Sequence, residues 1–167
     1  TVTAVYEQVE LEETIGDVTW RYVVDDGVAT IVGADNATDP EDGVTGEVAI
    51  PAMLGGHRVV AVADYAFAWL WADAVTLPEG IEFIGNYAFF NCTGLQSLVI
   101  PASVIEIGDS AFAACWALKA VCYAGDVPDV GESIYGWADE EGTTLDDILT
   151  TYVREGTSGW GEVPGEW

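Results

Sequence analysis

A repeated segment of 23 residues constrains the fold of this chain more than any other feature (99 − 77 + 1 = 23). The sequence LPEGIEFIGNYAFFNCTGLQSLV at 77–99 aligns without a gap with IPASVIEIGDSAFAACWALKAVC at 100–122. A looser copy begins at Ile50-Pro51, and a degenerate fourth copy occupies 122–138. This period lies within the range of leucine-rich repeats, about 20–29 residues, whose coils stack because no coil can bury its apolar face alone.

The repeat motif IPxxVxxIGxxAFxxCxxLxxV predicts two short strands in each coil. Leu98 and Ile100 are expected to point inward from the first strand, and Pro101 ends that strand because it has no N–H for a ladder bond. Val104 and Ile107 are expected to form the second strand. The fold class predicted from these elements is a mainly β leucine-rich-repeat solenoid with short helical turns.

The segment after the second strand predicts a turn that inserts side chains into the core. Gly108 is expected to allow a sharp turn, and Asp109 to cap a brief helical turn over 110–114. One phenylalanine holds the same slot in each of three copies, so we expect a stacked ladder of rings in the core: Phe67, Phe89 and Phe112.

Two turn sequences connect the chain to a known family. Asn86-Tyr-Ala-Phe-Phe-Asn-Cys92 and Asp109-Ser-Ala-Phe-Ala-Ala-Cys115 resemble the turns of the BspA-like leucine-rich repeat family of bacterial surface proteins. The resemblance covers roughly residues 18–167, including a β-rich lead-in at 46–67 and a terminating segment at 152–167. It implies a secreted or cell-surface protein used in adhesion and in host or matrix binding, with no catalytic residues.

Both ends of the chain carry signals of capping structure. The alternating stretch 19–34 breaks at Asp26-Gly27, which predicts a β-hairpin. We expect Trp20, Tyr22 and Val24 to share one face, with either Val28, Thr30 and Val32 or Ala29 and Ile31 answering from the partner strand. Further expectations are a polar loop at 35–46, a hairpin turn at Gly55-Gly56, an edge strand at Tyr152-Val153, a charged insertion at 139–149, and Trp160, Pro164 and Trp167 folded over the last coil.

With 167 residues, the chain is predicted to form one repeat domain. Its parts are an N-terminal β cap over 1–49, repeat coils over 50–123, and a degenerate coil with a C-terminal cap over 124–167. The acidic side chains follow this division, with 12, 6 and 11 in the three parts, which sum to the 29 of the chain.

The charge balance excludes several classes of partner. Four basic and 29 acidic side chains give a net charge of −25. Nucleic acid and anionic membrane surfaces are therefore not expected partners, since both require clustered Lys and Arg. No run of 18 apolar residues appears, which predicts no membrane insertion, and the opening TVTAVYEQVELEET is too acidic for a signal peptide.

Catalytic chemistry is not expected. His57 is the single histidine and lies at a predicted hairpin turn, and no nucleophile motif or phosphate-binding loop is present. Cys92 and Cys115 hold equivalent slots one coil apart, so they are either a disulfide or, the favoured alternative, two buried thiols. Cys122 falls in an outward-facing column and is expected to be more accessible.

No cofactor is expected, and one acidic loop is a weak candidate for binding Ca²⁺. Its carboxylates are Asp35, Asp39, Glu41 and Asp42. Oxygen-rich loops bind Ca²⁺, but this loop lacks the spacing of an EF-hand, and a solvated acidic loop is the default interpretation.

A candidate binding ridge follows from the repeat alignment. Four aromatic residues flank the buried Leu70/Cys92/Cys115 slot and are expected to point outward, forming a ridge for a protein or glycan ligand: Trp69, Trp71, Phe90 and Trp116. The alternative is that a terminal segment folds over the ridge. Two functions therefore remain open, a binding or adhesion module and a structural spacer or cap without a ligand.

Overall fold

The computed structural model describes residues 8–36, 44–136, 150–156 and 158–159. Those residues form strands and turns and include no helix. The strands, in chain order, are β1 (Leu11–Ile15), β2 (Val18–Asp25), β3 (Val28–Asn36), β4 (Thr45–Ala49), β5 (Met53–Leu54), β6 (His57–Val62), β7 (Trp71–Thr76), β8 (Phe83–Ile84), β9 (Ser97–Ile100), β10 (Glu106–Ile107), β11 (Ala120–Tyr123), β12 (Asp129–Val130) and β13 (Thr150–Val153).

Two sheets form opposite walls of a solenoid. The first sheet has the order β1-β2-β3-β6-β8-β10-β12, with β5 paired to β6, and the second has the order β13-β11-β9-β7-β4. Ile84, Ile107 and Val130 pair along the first sheet at intervals of 23 residues (107 − 84 and 130 − 107). The predicted leucine-rich-repeat solenoid and its period are therefore confirmed, and Pro101 follows β9 directly as expected.

Stacked aromatic rings occupy the core between the sheets. Phe89 lies 5.2 Å from Phe67 and 5.5 Å from Phe112 between ring centroids, with interplanar angles of 23° and 14°. Tyr135 extends the ladder from Phe112 at 6.0 Å, and Trp20 closes it at the other end with an edge contact to Phe67 at 6.2 Å. The predicted ladder is confirmed, and both caps lengthen it.

The turn that carries each phenylalanine is not helical, so the expected helical turn over 110–114 is wrong in detail. Ser110 and Ala114 adopt left-handed backbone angles, with φ of 52° and 61°. The amide groups of alternate turn residues donate to the next coil instead of to their own turn, as Phe89 N does to Ala111 O at 2.8 Å. A helix would need those amides internally, so the stacking of coils decides the conformation.

Side chains before each turn also link one coil to the next. Asn86 N donates to Asp64 Oδ1 at 2.8 Å, and Asp109 N donates to Asn86 Oδ1 at the same distance. Asp109 Oδ1 accepts in turn from Glu132 N at 2.7 Å. Asp109 therefore satisfies an amide of the following coil and does not cap its own turn.

Gly108 is required by close packing and not by a sharp turn. A Cβ atom at this position would lie 2.6 Å from the backbone nitrogen of Asn86 in the preceding coil. Gly85 and Gly131 hold the equivalent slots and have equally close backbone neighbours. The glycine of the Ile-Gly pair therefore sets how closely successive coils approach.

The N-terminal cap continues the first sheet. The hairpin β2–β3 turns at Asp26-Gly27 as predicted, and Ala29 and Ile31 are its buried partners, which decides between the two faces. β3 then pairs parallel with β6, so the cap docks on the first coil. An additional edge strand, β1, was not expected from the sequence. The strand at Tyr152-Val153 is confirmed as part of β13, which pairs with β11.

Several expectations fall outside the described residues, namely most of the 35–46 loop, the insertion at 139–149, and Trp160, Pro164 and Trp167. The turn at Gly55-Gly56 is confirmed: both glycines have positive φ, and β5 and β6 pair across them. His57 Nδ1 lies 3.1 Å from the Gly27 carbonyl oxygen, so this side chain connects the β5–β6 turn to the β2–β3 turn of the cap.

The cysteines are free thiols, which confirms the favoured alternative. Cys92 Sγ donates to Phe67 O at 3.2 Å, and Cys115 Sγ donates to Phe89 O at 3.1 Å. The neighbouring Cys115 thiol and burial raise the pKa of the Cys92 thiol. Cys122 lies in an outward-facing column beside Val99 and is half-buried.

The first coil is one residue shorter than the second on the way into the second sheet. In the turn, equivalent residues are 22 apart, as the stacked Phe67 and Phe89 are (89 − 67). In the second sheet, Val75 pairs with Leu98, an interval of 23 (98 − 75). The chain therefore enters β7 directly after Leu70. As a result Trp71 is the first residue of a strand, while Thr93, in the same slot, lies in a turn.

Candidate functional site

Aromatic side chains cluster on the turns of the first two coils: Tyr65, Trp69 and Trp71 are exposed, and Tyr87 and Phe90 are half-buried. Tyr65 and Tyr87 stack in parallel, with 4.9 Å between ring centroids and an interplanar angle of 5°. Phe90 receives an edge contact from Tyr87 at 5.8 Å and from Trp69 at 5.6 Å. We call these four residues together with Trp71 the aromatic patch.

The patch contains three of the four residues of the predicted ridge. Trp71, Trp69 and Tyr65 expose 70%, 56% and 53% of their surface. Trp116 is also exposed, but it lies two coils from Trp71, roughly 10 Å along the stack, with Thr93 in the slot between them. The structure therefore brings Trp69, Phe90 and Trp71 to one area and leaves Trp116 at a distance.

Trp69 occupies a backbone position that does not favour a large side chain. Its φ is 63°, and the equivalent residues of the next two coils, Asn91 and Ala114, have φ of 57° and 61°. Left-handed φ costs a non-glycine residue roughly 1–2 kcal/mol, and Asn tolerates it better than most. Because Asn91 and Ala114 fill the same slot, the fold itself does not require an aromatic ring there.

A cleft of about 520 Å³ separates the N-terminal cap from the patch. The described residues that line it include Tyr65, Trp69 and Trp71 on one side and Arg21 and Asp35 on the other. Trp71 begins β7, which pairs with β4, so the indole is held at the mouth of the cleft by a strand.

An ion pair forms the polar wall of this cleft. Arg21 Nε donates to Asp35 Oδ2 at 2.7 Å, and Arg21 Nη1 donates to Glu10 Oε1 at 3.3 Å. Burial lowers the pKa of Arg21, but the neighbouring carboxylates outweigh burial and the pKa is raised, so the guanidinium stays charged. The guanidinium lies over Gly33, where a Cβ atom would be 2.4 Å from Arg21 Nη2.

The carboxylates proposed as Ca²⁺ ligands do not form a site in the part of the chain that the structure describes. Asp35 is paired with Arg21, and Asp39, Glu41 and Asp42 lie outside the described residues, so for these three the expectation stays a prediction. Across the described ranges, no group of three or more His, Cys, Asp or Glu side chains is placed to hold a metal ion.

Comparison with known proteins identifies the repeat. Residues 60–140 match the family model described as a BspA type leucine rich repeat region (6 copies). The repeats of this chain belong to the BspA-type leucine-rich repeat family. Within the described ranges, the structure contains no helix with the length and apolarity needed to cross a membrane.

Solved structures share the fold of these BspA-type repeats. A leucine-rich repeat protein from Bacteroides capillosus ATCC 29799 aligns with a TM-score of 0.65 and 23% identity, covering 85% of this chain and 97% of the other. A leucine rich cell surface protein from Faecalibacterium prausnitzii A2-165 aligns with a TM-score of 0.56 and 20% identity, covering 87% of this chain and 45% of the other. No curated protein matches the chain in sequence.

Sequence reasoning missed three residues of the site. Tyr65 and Tyr87 hold the slot directly before the Ala-Phe pair, where the later BspA-type coils have Ser110 and Ser133, so the repeat alignment contained the signal. Arg21 gave no such signal, because its place beside the patch depends on how the cap docks on the first coil.

Proposed function

We propose that this chain is a non-catalytic binding module of a bacterial surface protein and that the aromatic patch contacts its ligand, a protein or a glycan. The observation that carries the proposal is Trp69, a large side chain that is more than half exposed at a left-handed backbone position. Burial does not account for an indole at this position. Ligand contact does, since tryptophan is enriched among the residues that dominate binding energy.

A cell-surface or secreted location is part of the proposal. Its support is the BspA-type family model and the Faecalibacterium prausnitzii relative, which is described as a cell surface protein. The net charge of −25 suits a setting in which cations screen the repulsion between carboxylates.

A structural spacer without a ligand of its own is the second candidate function. One observation favours it: the aligned region spans 45% of the Faecalibacterium prausnitzii protein, so a fold of this kind also occurs as part of a longer chain. In a spacer, the aromatic patch would contact no ligand, so substitution of its exposed rings would change no function of the chain.

Two variants distinguish effects on folding from effects on ligand binding, because each replaces a patch residue by the residue that holds the equivalent slot in the second coil. Trp69→Asn and Trp71→Thr introduce the side chains of Asn91 and Thr93. Each should keep the free energy of unfolding within about 1 kcal/mol of the parent. In Trp69→Asn, relief of backbone strain offsets the loss of the ring contact. In Trp71→Thr, the side chain that is removed is exposed and contributes little to stability. The measurement is chemical denaturation followed by circular dichroism.

The same variants are then screened against arrays of surface glycans and extracellular proteins. The proposal expects a saturable, competable ligand whose binding both variants weaken. Ile105→Ser is the matched control, since Ile105 is 54% exposed and lies beside β10, away from the patch. Saturable binding that both variants retain would contradict the role of the aromatic patch. The absence of any saturable ligand would contradict the proposed function and favour the spacer.

A further inference from the structure

We propose that the cleft between the N-terminal cap and the first coil is a binding subsite for a neutral oligosaccharide. Trp69 and Trp71 would stack on sugar rings, and the Arg21–Asp35 pair would hydrogen-bond the hydroxyl groups. This inference rests on the proposed binding function and names the class of ligand.

The size of the cleft favours a small ligand. Its volume of about 520 Å³ lies within the range of sites for small molecules, roughly 300–1,000 Å³. A stable protein partner would need a contact area of about 1,200–2,000 Å² in total, much of it outside the cleft. The concave shape therefore suits a short chain of rings better than a folded partner.

The chemistry of the two walls is that of carbohydrate recognition. Sugar rings present C–H groups on their faces, which pack on aromatic rings, and hydroxyl groups around their edges. The bonds to Asp35 and Glu10 occupy two of the five N–H groups of a guanidinium, so further N–H groups can donate to hydroxyls. Asp35 has a second carboxylate oxygen and can accept from them.

The charge of the site selects against ionised ligands. One guanidinium faces two carboxylates, those of Asp35 and Glu10, so the net charge of the three groups is −1 (1 − 2). Sialylated or sulfated glycans would be repelled by this group and by the net charge of −25. Among the described residues that line the cleft, Arg21 is the single cation and is already paired, which leaves neutral sugars as the favoured class.

Gly33 offers a specific test of the polar wall. In Gly33→Ala, the new methyl group would occupy the place of the Arg21 Nη2 atom, which is the far end of a flexible side chain and can move. The variant should therefore displace the guanidinium while leaving the aromatic patch intact. Trp71→Thr tests the aromatic wall, and Ile105→Ser again serves as the control.

The experiment is a printed array of neutral, sialylated and sulfated glycans, followed by calorimetric titration with the tightest neutral oligosaccharide at low and high NaCl. We expect binding that is insensitive to salt, weakened about tenfold by Trp71→Thr, weakened several-fold by Gly33→Ala, and unchanged in Ile105→Ser. Circular dichroism melts check that each variant is folded.

Each contrary outcome has a distinct meaning. Binding of ionised glycans alone, or neutral binding that Trp71→Thr and Gly33→Ala leave unchanged, overturns the inference. A protein ligand that depends on the patch, with no neutral glycan bound, overturns the inference but leaves the proposed function standing. If neither glycan nor protein binds, both fail.

Discussion

Removal of the central ring of the phenylalanine ladder tests the physical basis of the fold. Phe89 is fully buried, and its ring lies between those of Phe67 and Phe112 at 5.2 and 5.5 Å. Truncation of a buried phenylalanine to alanine costs about 3–5 kcal/mol, because transfer energy is lost and a cavity remains. We expect the lower half of this range only if neighbouring coils close over the gap.

The magnitude converts to a measurable shift in melting temperature. For a domain of this length, each kcal/mol lowers the melting temperature by about 2–4 °C, so Phe89→Ala should melt about 6–20 °C below the parent. Thermal and urea unfolding followed by circular dichroism measure both quantities. The free energy of unfolding of an ordinary domain is about 5–15 kcal/mol. The variant therefore remains largely folded at 25 °C if the parent is more stable than the low end of this range.

Phe83→Ala is the matched control for this experiment. Phe83 lies on β8 and is 39% exposed on the outer face of the first sheet. Its truncation removes the same atoms from a partly solvated site and should cost about 1 kcal/mol or less. If Phe89→Ala melts within a degree or two of the parent, or no lower than Phe83→Ala, the ladder does not stabilise the stack and the reasoning fails.

Two further predictions concern the thiols and the charge. The native protein should react with a thiol reagent at Cys122 alone. Cys92 and Cys115 should react only after unfolding, because both are buried and hydrogen-bonded to carbonyl groups. Rapid reaction of more than one thiol per chain in the native protein would contradict this prediction. The melting temperature should rise from about 10 mM to about 500 mM NaCl, as cations screen the repulsion among 29 carboxylates, and an unchanged value would remove the electrostatic argument.

Features that repeat locally were predictable from the sequence. The period placed Phe67, Phe89 and Phe112 in one slot, and Asp26-Gly27 marked its hairpin without reference to the rest of the chain. In both cases the residues that carry the signal are also the residues that form the structure, so local pattern and tertiary packing agree.

The turns were mispredicted because tertiary contacts override local preference. The segment Ser110-Ala-Phe-Ala-Ala114 is rich in alanine, the best helix former, yet its backbone bonds to the neighbouring coils. The outward position of Trp69 and Trp71 followed from their slots. The approach of Arg21 to them did not, because it depends on pairing between β3 and β6, which are more than 20 residues apart in the chain (57 − 36 = 21).

The single-residue difference between the first two coils shows how such a repeat can diversify. With one residue fewer after the buried Leu70, the slot that Thr93 holds in a turn becomes the first residue of a strand at Trp71. The core slots are unaffected, since Phe67 and Phe89 stack before this point and the buried Val75 and Leu98 pair after it. A change of length at this point therefore alters what a coil displays without altering what it buries, which makes it a natural place to vary a library of designed repeats.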